Sequence, residues 1–447
     1  MMLRFYCFCL GLLPIILSAQ GVDPGSITIV RDVWGVPHIK APTHRATAYG
    51  LAWATCEDDF QTVQYQLLAV RGRLAEVAGK EGAPLDIVGQ YLMLDELMER
   101  EFPGNLSPEF QRVLLAYCRG VNTYAREHPD EVLRPLLFPV GPRDVLKGYA
   151  LGQALLTGAA RALGEIMNDH LPMEPPRGSN AIAVNRERSG EETTHLIINS
   201  HQPLEGLFSW YEAHLVNDEG LNIHGATFPG GISIFHGANA HLGWAHTVNK
   251  PDFADIYRLE MHPDGRLAYR FDGEWLPLEK HKAKTRVKFG PIRLPVSKTF
   301  YKSRHGLVLK TKSGYYALRI VANQDIRGAE QWWRMNQATN LAEFKEALGI
   351  QGIAGTNIIY ADAEDHIFYI SNGRFPDRDP AFNWTGVLPG DTSAALWSAE
   401  PMSLDKLAQI QDPSSGFLYN TNTSPFQATG AGDNLSPRAY PAHMGYE

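Results

Sequence analysis

The run Arg177-Gly178-Ser179-Asn180-Ala181-Ile182-Ala183-Val184 divides the chain into two parts of different character. Just before it, Leu171-Pro172-Met173-Glu174-Pro175-Pro176 cannot continue a helix and has little to bury, so residues 171–178 are expected to form an exposed spacer. Just after it, Asn180–Asn185 and Thr194–His201 read as two strands around a polar turn containing Ser189-Gly190. A turn centred near residue 189 pairs Ser179 with the stretch Asn199–His201 and brings His201 beside it. Were the chain cut before Ser179, the new α-amino group, with an ordinary pKa of roughly 7.7–8.0, would lie beside its own hydroxyl. One residue would then carry both nucleophile and base. Gly178-Ser179-Asn180 also suits a plain loop entering a strand, and these residues alone leave both readings open.

Upstream the pattern is mostly helical. Ile27–Ile39 alternates as an edge strand punctuated by Gly35 and Pro37. Phe60, Val63, Leu67, Leu68 and Leu74 then make one apolar stripe, which predicts a helix within Ala46–Gly79. Ser107-Pro108 is a cap residue followed by a first-turn proline, and Tyr149–Met167 reads as a third helix. At the very start, Arg4 supplies a positive charge, Phe5–Leu17 is an apolar run of 13 residues, and Ser18-Ala19 are small. This predicts a secretory signal over residues 1–19, too short to span a bilayer comfortably. A short anchored helix is the other reading of that run. The expectation is an exported protein, periplasmic or secreted, with no membrane contact once the signal is removed.

Downstream, Gly230–Ala238, His366–Phe375 and Gly416–Ser424 repeat the strand theme, so helical and strand-rich parts together predict an α+β fold. The 447 residues are 44% hydrophobic and 20% charged, which excludes a disordered, collagenous or coiled-coil chain. A net charge of −8 without a basic block gives no reason to expect nucleic acid as a partner. No Gly-x-Ser-x-Gly elbow, zinc helix, P-loop or dinucleotide fingerprint is present. Ser403 and Lys406 match Ser-x-x-Lys, a short pattern that equally suits the opening of a helix. His236, His241 and His246 recur every five residues, which suits neither one helix face nor one strand face and argues against a metal site. Cys56 and Cys118, the two cysteines left after the signal, suit either one bridge or two buried thiols.

Several longer stretches carry a resemblance. Val30–Ile39, Tyr49–Gly79, Arg177–Val184, Trp210–Leu215, His241–Asn249 and Tyr419–Pro425 resemble, in order, signature segments of the penicillin acylase family of N-terminal-nucleophile hydrolases, above all its acyl-homoserine-lactone acylase branch. The resemblance implies a four-layer αββα sandwich with a helical first chain over residues 20–170 and a strand-rich second chain over 179–447. It implies that Ser179 is the nucleophile, freed when the Gly178–Ser179 bond cleaves itself. His201 is implied to hydrogen-bond near its amine, and the Val248 N–H and the Asn422 side-chain amide to form the oxyanion hole. That role for Asn422 argues against a glycan at its sequon.

The implied substrate is a small N-acyl amide, and the implied partner is the other half of the same precursor, as a heterodimer. A structural calcium is implied, held by Glu165, Asp252 and Asp255, with Pro380 and Asp433 as weaker matches. Glu57-Asp58-Asp59 stands where the family usually has Gln-Asp-Arg. Family members run longer than 447 residues, so the resemblance implies a second chain that is C-terminally incomplete. The alternative function is an inactive secreted relative that binds its ligand without cutting it.

Overall fold

Thr43 starts the first long helix, His44–Val70, by accepting the Ala46 N–H on its side chain. The computed structural model describes residues 21–167 and 178–446; the signal at 1–19 and nearly all of the spacer at 171–178 lie outside the described residues. The helix bends at Asp59 (φ −151°, ψ 61°), whose carboxylate caps the second half by accepting the Thr62 N–H at 3.0 Å. It ends well short of Gly79 because Gly72 takes φ +66°, and a separate turn of helix follows at Ala75–Ala78. Ser107 caps Pro108–Glu127 as its sequence predicts. The third helix differs from its expected span. Pro142–Leu156 and Ala159–Met167 are separate helices, broken at Gly158 with φ +88°.

The stretch Ile27–Ile39 is a hairpin rather than one strand. Thr28–Arg31 pairs antiparallel with Pro37–Ala41, because the Asp32 carboxylate accepts the Trp34 and Val36 N–H groups and Gly35 takes φ +84°. Thr28–Arg31 is nevertheless an edge strand, at one end of a nine-stranded sheet. Pro37–Ala41 joins that sheet by parallel pairing with Tyr211–Asn217. Then come Asn222–Thr227, His236–Asn239, Leu242–Thr247, Gly355–Asp362, Ile367–Gly373 and Gln409–Gln411. Only His236–Asn239 of the expected Gly230–Ala238 run is strand; Gly230 at φ +88° starts a bend instead.

A three-stranded sheet, Phe417–Asn420, Gly178–Val184 and His195–His201, packs on the large one. Burial alternates along Gly178–Val184, so Ser179, Ala181 and Ala183 face the large sheet, where the two alanines share a cluster with Ala245, Ile359 and Tyr369. Helices cover the other side of the large sheet, and Leu51, Phe60, Phe110 and Leu215 share that core. A six-stranded sheet containing Ala254–Leu259 stands beside these layers. Helices, large sheet and small sheet thus lie in succession, an α+β arrangement. On the far side of the small sheet, Ile197 is exposed.

Candidate active site

Ser179 is held from both sides. In the hairpin, Ser179 pairs with Ser200 and Gly178 with His201, the register expected of a turn centred near residue 189. On the other side Ala181 pairs with Asn420, so the chain reaches Asn422 level with Ser179. The Asn422 side-chain oxygen accepts the Ser179 N–H at 2.7 Å. Its amide nitrogen donates to the Val248 carbonyl at 3.0 Å, which uses one of its two hydrogens. Ser179 is only 3% exposed, and its hydroxyl donates to the carbonyl oxygen of Gly178. His201 lies against the same peptide: a Cβ at residue 178 would stand 2.9 Å from its ring nitrogen Nδ1. Its Nε2 is 3.3 Å from the Asn180 amide. The four residues carried over for catalysis, Ser179, His201, Val248 and Asn422, therefore meet around the Gly178–Ser179 bond.

Behind Asn422 stands a buried polar network that the sequence reading did not single out. The Asn420 side-chain oxygen accepts from Asn422 N–H (2.9 Å), Thr247 Oγ1 (2.6 Å) and the Asn357 amide (3.2 Å). Tyr369 donates to the Asn357 oxygen at 3.0 Å. Every member is buried with its partners in place, which fixes the turn carrying Asn422. Asn420 could have been noticed, since it stands in the Tyr419–Pro425 segment.

An apolar cavity of about 70 Å³ opens from Ser179 and Val248, walled by Leu156, Trp210, Phe228, Phe235 and Trp332. Trp332 and Phe235 stack at 4.3 Å. The Trp332 indole N–H donates to His246 Nε2 at 2.9 Å, so that nitrogen must be unprotonated. Burial pushes His246 down to about 4 and His236 down to about 3, and both are neutral at pH 7. On the other side of Val248 a more polar opening of about 250 Å³ is lined by Arg161, Asn249, Lys250 and Asn422. Ser179 and Val248 thus lie between an apolar space and a polar one.

The residues tied by resemblance to calcium are only partly brought together. Asp255 is fully buried; one carboxylate oxygen accepts from Arg378 (2.7 Å) and the Trp397 N–H (2.6 Å), while the other has no partner. Asp252 flanks the same arginine at 3.5 Å. Glu165 is an exposed residue 3.8 Å from Arg161, on the helix that packs against Ala254–Leu259. Asp433 instead accepts from Ser414 and Ser415. Pro380 is exposed, two residues beyond Arg378. Among the described residues no group of three or more His, Cys, Asp or Glu converges as a metal centre.

The remaining candidates fall elsewhere. Ser403 precedes and Lys406 ends a single helical turn, Leu404–Lys406, and neither lines the Ser179 cavity. Cys56 and Cys118 are buried free thiols, Cys118 pushed up to about 12 by burial. Glu57 and Asp58 clamp Arg31 at 2.7 and 2.8 Å, and Asp58 also accepts from the Tyr211 hydroxyl. With Asp59 as the cap of the bent helix, the unusual triplet is fully employed. No described helix is long and apolar enough to cross a membrane.

Comparison with known proteins bears on the family of the chain. The chain is 26% identical to an acyl-homoserine lactone acylase PvdQ of Pseudomonas fluorescens (strain Pf0-1), over 93% of this chain and 61% of that one. It is 24% identical to an acyl-homoserine lactone acylase QuiP of Pseudomonas syringae pv. tomato, over 91% of this chain and 57% of that one. It thus spans less than two thirds of the length of these curated relatives. A thermostable penicillin G acylase from Alcaligenes faecalis matches with 23% identity and a TM-score of 0.48, covering 58% of this chain and 47% of that one. Residues 26–446, which include the large and small sheets and Ser179, match the penicillin amidase family model, and the chain belongs to that family.

Proposed function

We propose that this protein is an exported, self-processing amidohydrolase that cleaves the linear amide of N-acylated small molecules through an acyl-serine intermediate. The observation that carries the reading is the setting of Ser179: a buried hydroxyl at its own preceding peptide bond, with Asn422, Val248 and His201 around it.

Maturation begins with Ser179 Oγ attacking the Gly178 carbonyl carbon. The hydroxyl proton passes to the nitrogen as the C–N bond breaks, so that Ser179 gains a neutral α-amine, and water hydrolyses the resulting ester to free the Gly178 carboxylate and return the hydroxyl. In turnover the neutral α-amine accepts the Ser179 hydroxyl proton, directly or through water, as Oγ attacks the substrate carbonyl. The Asn422 side-chain oxygen, which already accepts from Ser179 N, orients that amine. The second hydrogen of the Asn422 amide and the Val248 N–H stabilise the oxyanion. The protonated amine then gives its proton to the departing substrate nitrogen. Water, activated by the same amine, cleaves the acyl ester and returns the hydroxyl.

The apolar cavity suits the acyl group and the polar opening beside Arg161 and Lys250 suits the amine part. Acyl-homoserine lactones come first as substrates, on the names of the relatives, followed by other fatty-acyl amides and β-lactam side chains. After the cut the two chains stay together as a heterodimer. Calcium belongs to the same reading. It is supported by the unpartnered buried oxygen of Asp255, with Asp252 beside it and Glu165 on the facing helix, since carboxylate oxygens are the hard ligands calcium takes.

The test is intact mass and N-terminal sequencing of the exported protein, with turnover of an N-acyl homoserine lactone. Two chains, the second beginning Ser179-Asn180-Ala181, are expected. Ser179→Ala should give one uncut chain without activity. A cut and active Ser179→Ala protein would sink the proposal, and an uncut wild-type chain that binds without turnover would make it a binding protein.

A further inference from the structure

The helix Pro142–Leu156 carries two interior glycines, Gly148 and Gly152, in different surroundings. A Cβ at Gly148 would stand 2.9 Å from the Gln66 amide, which would have to shift to admit it. Gly120, on the neighbouring helix Pro108–Glu127, is likewise closed in, 2.6 Å from a backbone oxygen and 2.8 Å from Ala52. At Gly152 a Cβ would meet nothing within 4 Å. Glycine inside a helix is less stable than alanine, and no contact explains it here. Gly152 lines a second apolar cavity, of about 50 Å³, together with Leu85, Leu151 and Phe208. This cavity adjoins the one at Ser179: Gln153, Leu156, Phe228, Phe235 and Trp332 line both. An acyl chain that outgrows the first space finds the second immediately behind the same side chains.

We propose that Gly152 is a specificity-determining residue: the space its missing side chain leaves lets the second cavity receive the far end of a linear aliphatic acyl chain. This rests on the amidohydrolase reading above for what is cleaved, but not for what is bound. Each methylene moved from water into an apolar site is favourable, so the second cavity rewards length. A branched residue at 152 would occupy the space and remove that reward.

The test compares wild type with Gly152→Leu and Gly152→Ala, using amides of one amine acylated with chains of four to fourteen carbons. The ratio of kcat/KM for dodecanoyl over hexanoyl amide should fall at least ~10-fold in Gly152→Leu. Gly152→Ala should raise Tm, with a smaller fall in the ratio. Binding is read separately, as the Tm shift produced by free dodecanoate and by free hexanoate. Dodecanoate should stabilise wild type more than hexanoate does, and Gly152→Leu should lose that difference. Equal length profiles in wild type and Gly152→Leu, in turnover or in binding, overturn the proposal. If nothing is hydrolysed but the binding difference appears and vanishes as described, the amidohydrolase reading fails and the acyl site stands. Should Gly152→Leu not fold, Gly152→Val and the Gly152→Ala ratio decide in its place.

Discussion

At φ +66° Asn422 sits in a backbone region where most side chains are strained but asparagine is tolerated. The same side chain accepts from Ser179 and donates to Val248, so conformation and chemistry select one residue type. Substitutions therefore separate the two demands. Asn422→Gly keeps the backbone and removes the amide; kcat should fall by ~10²–10³ with little change in Tm. Asn422→Ala should lose the same rate and, in addition, stability, because it adds about 1–2 kcal/mol of backbone strain. Single-turnover kinetics beside thermal melts would distinguish these. A wild-type rate in Asn422→Gly would remove Asn422 from the oxyanion hole. The sequence made Asn422 visible through its motif. It gave no sight of Asn357, which arrives on Gly355–Asp362 and reaches Asn420 only through sheet pairing.

Among the elements, local patterns were legible where one turn decides the geometry. The hairpin around residue 189 fixes the register of Ser179 against Ser200, and a short polar turn is enough to read it. The expected strand Ile27–Ile39 and the expected helix Tyr149–Met167 are each divided, for a common reason. Gly35 and Gly158 interrupt otherwise continuous patterns through positive φ, and alternation or helical periodicity carries across a single residue. The cavities were illegible altogether, since their walls come from helices, loops and strands far apart in sequence.

Element packing also frames the metal question. The helix Ala159–Met167 meets the strand Ala254–Leu259, and a cation at Asp255 would join the first part of the chain to the second. Exhaustive treatment with a calcium chelator should lower Tm by several degrees, and added calcium should restore it. Identical melts before and after chelation, with no calcium in the protein by elemental analysis, would leave Arg378 as the only cation that site needs.

Over the whole molecule, buried histidines make stability depend on pH: His236 and His246 near the cavity, and His305, which burial also lowers to about 4. His236 and His246 are lowered to about 3 and about 4 in the folded state, against about 6.5 when unfolded. The unfolded chain therefore takes up protons that the folded one refuses. The penalty is absent above about pH 7, grows as pH falls below about 6.5, and levels off only near the folded values. Each histidine should cost about 1.4 kcal/mol per pH unit in that window. Urea midpoints at pH 7.5 and 5.5 should differ accordingly. His236→Asn or His246→Asn should reduce the slope, even if it lowers stability at pH 7.5. An unchanged slope in both variants would mean that other groups govern the acid side.

The large sheet has one more consequence. Pro37–Ala41, from the first part of the chain, lies inside it, hydrogen-bonded to Tyr211–Asn217 from the second. A cut at residue 178 would free two ends on the small sheet without loosening that seam. The two pieces would be divided in the covalent sense and remain, mechanically, a single body: parting them means unzipping a sheet, and their dissociation should coincide with unfolding rather than precede it.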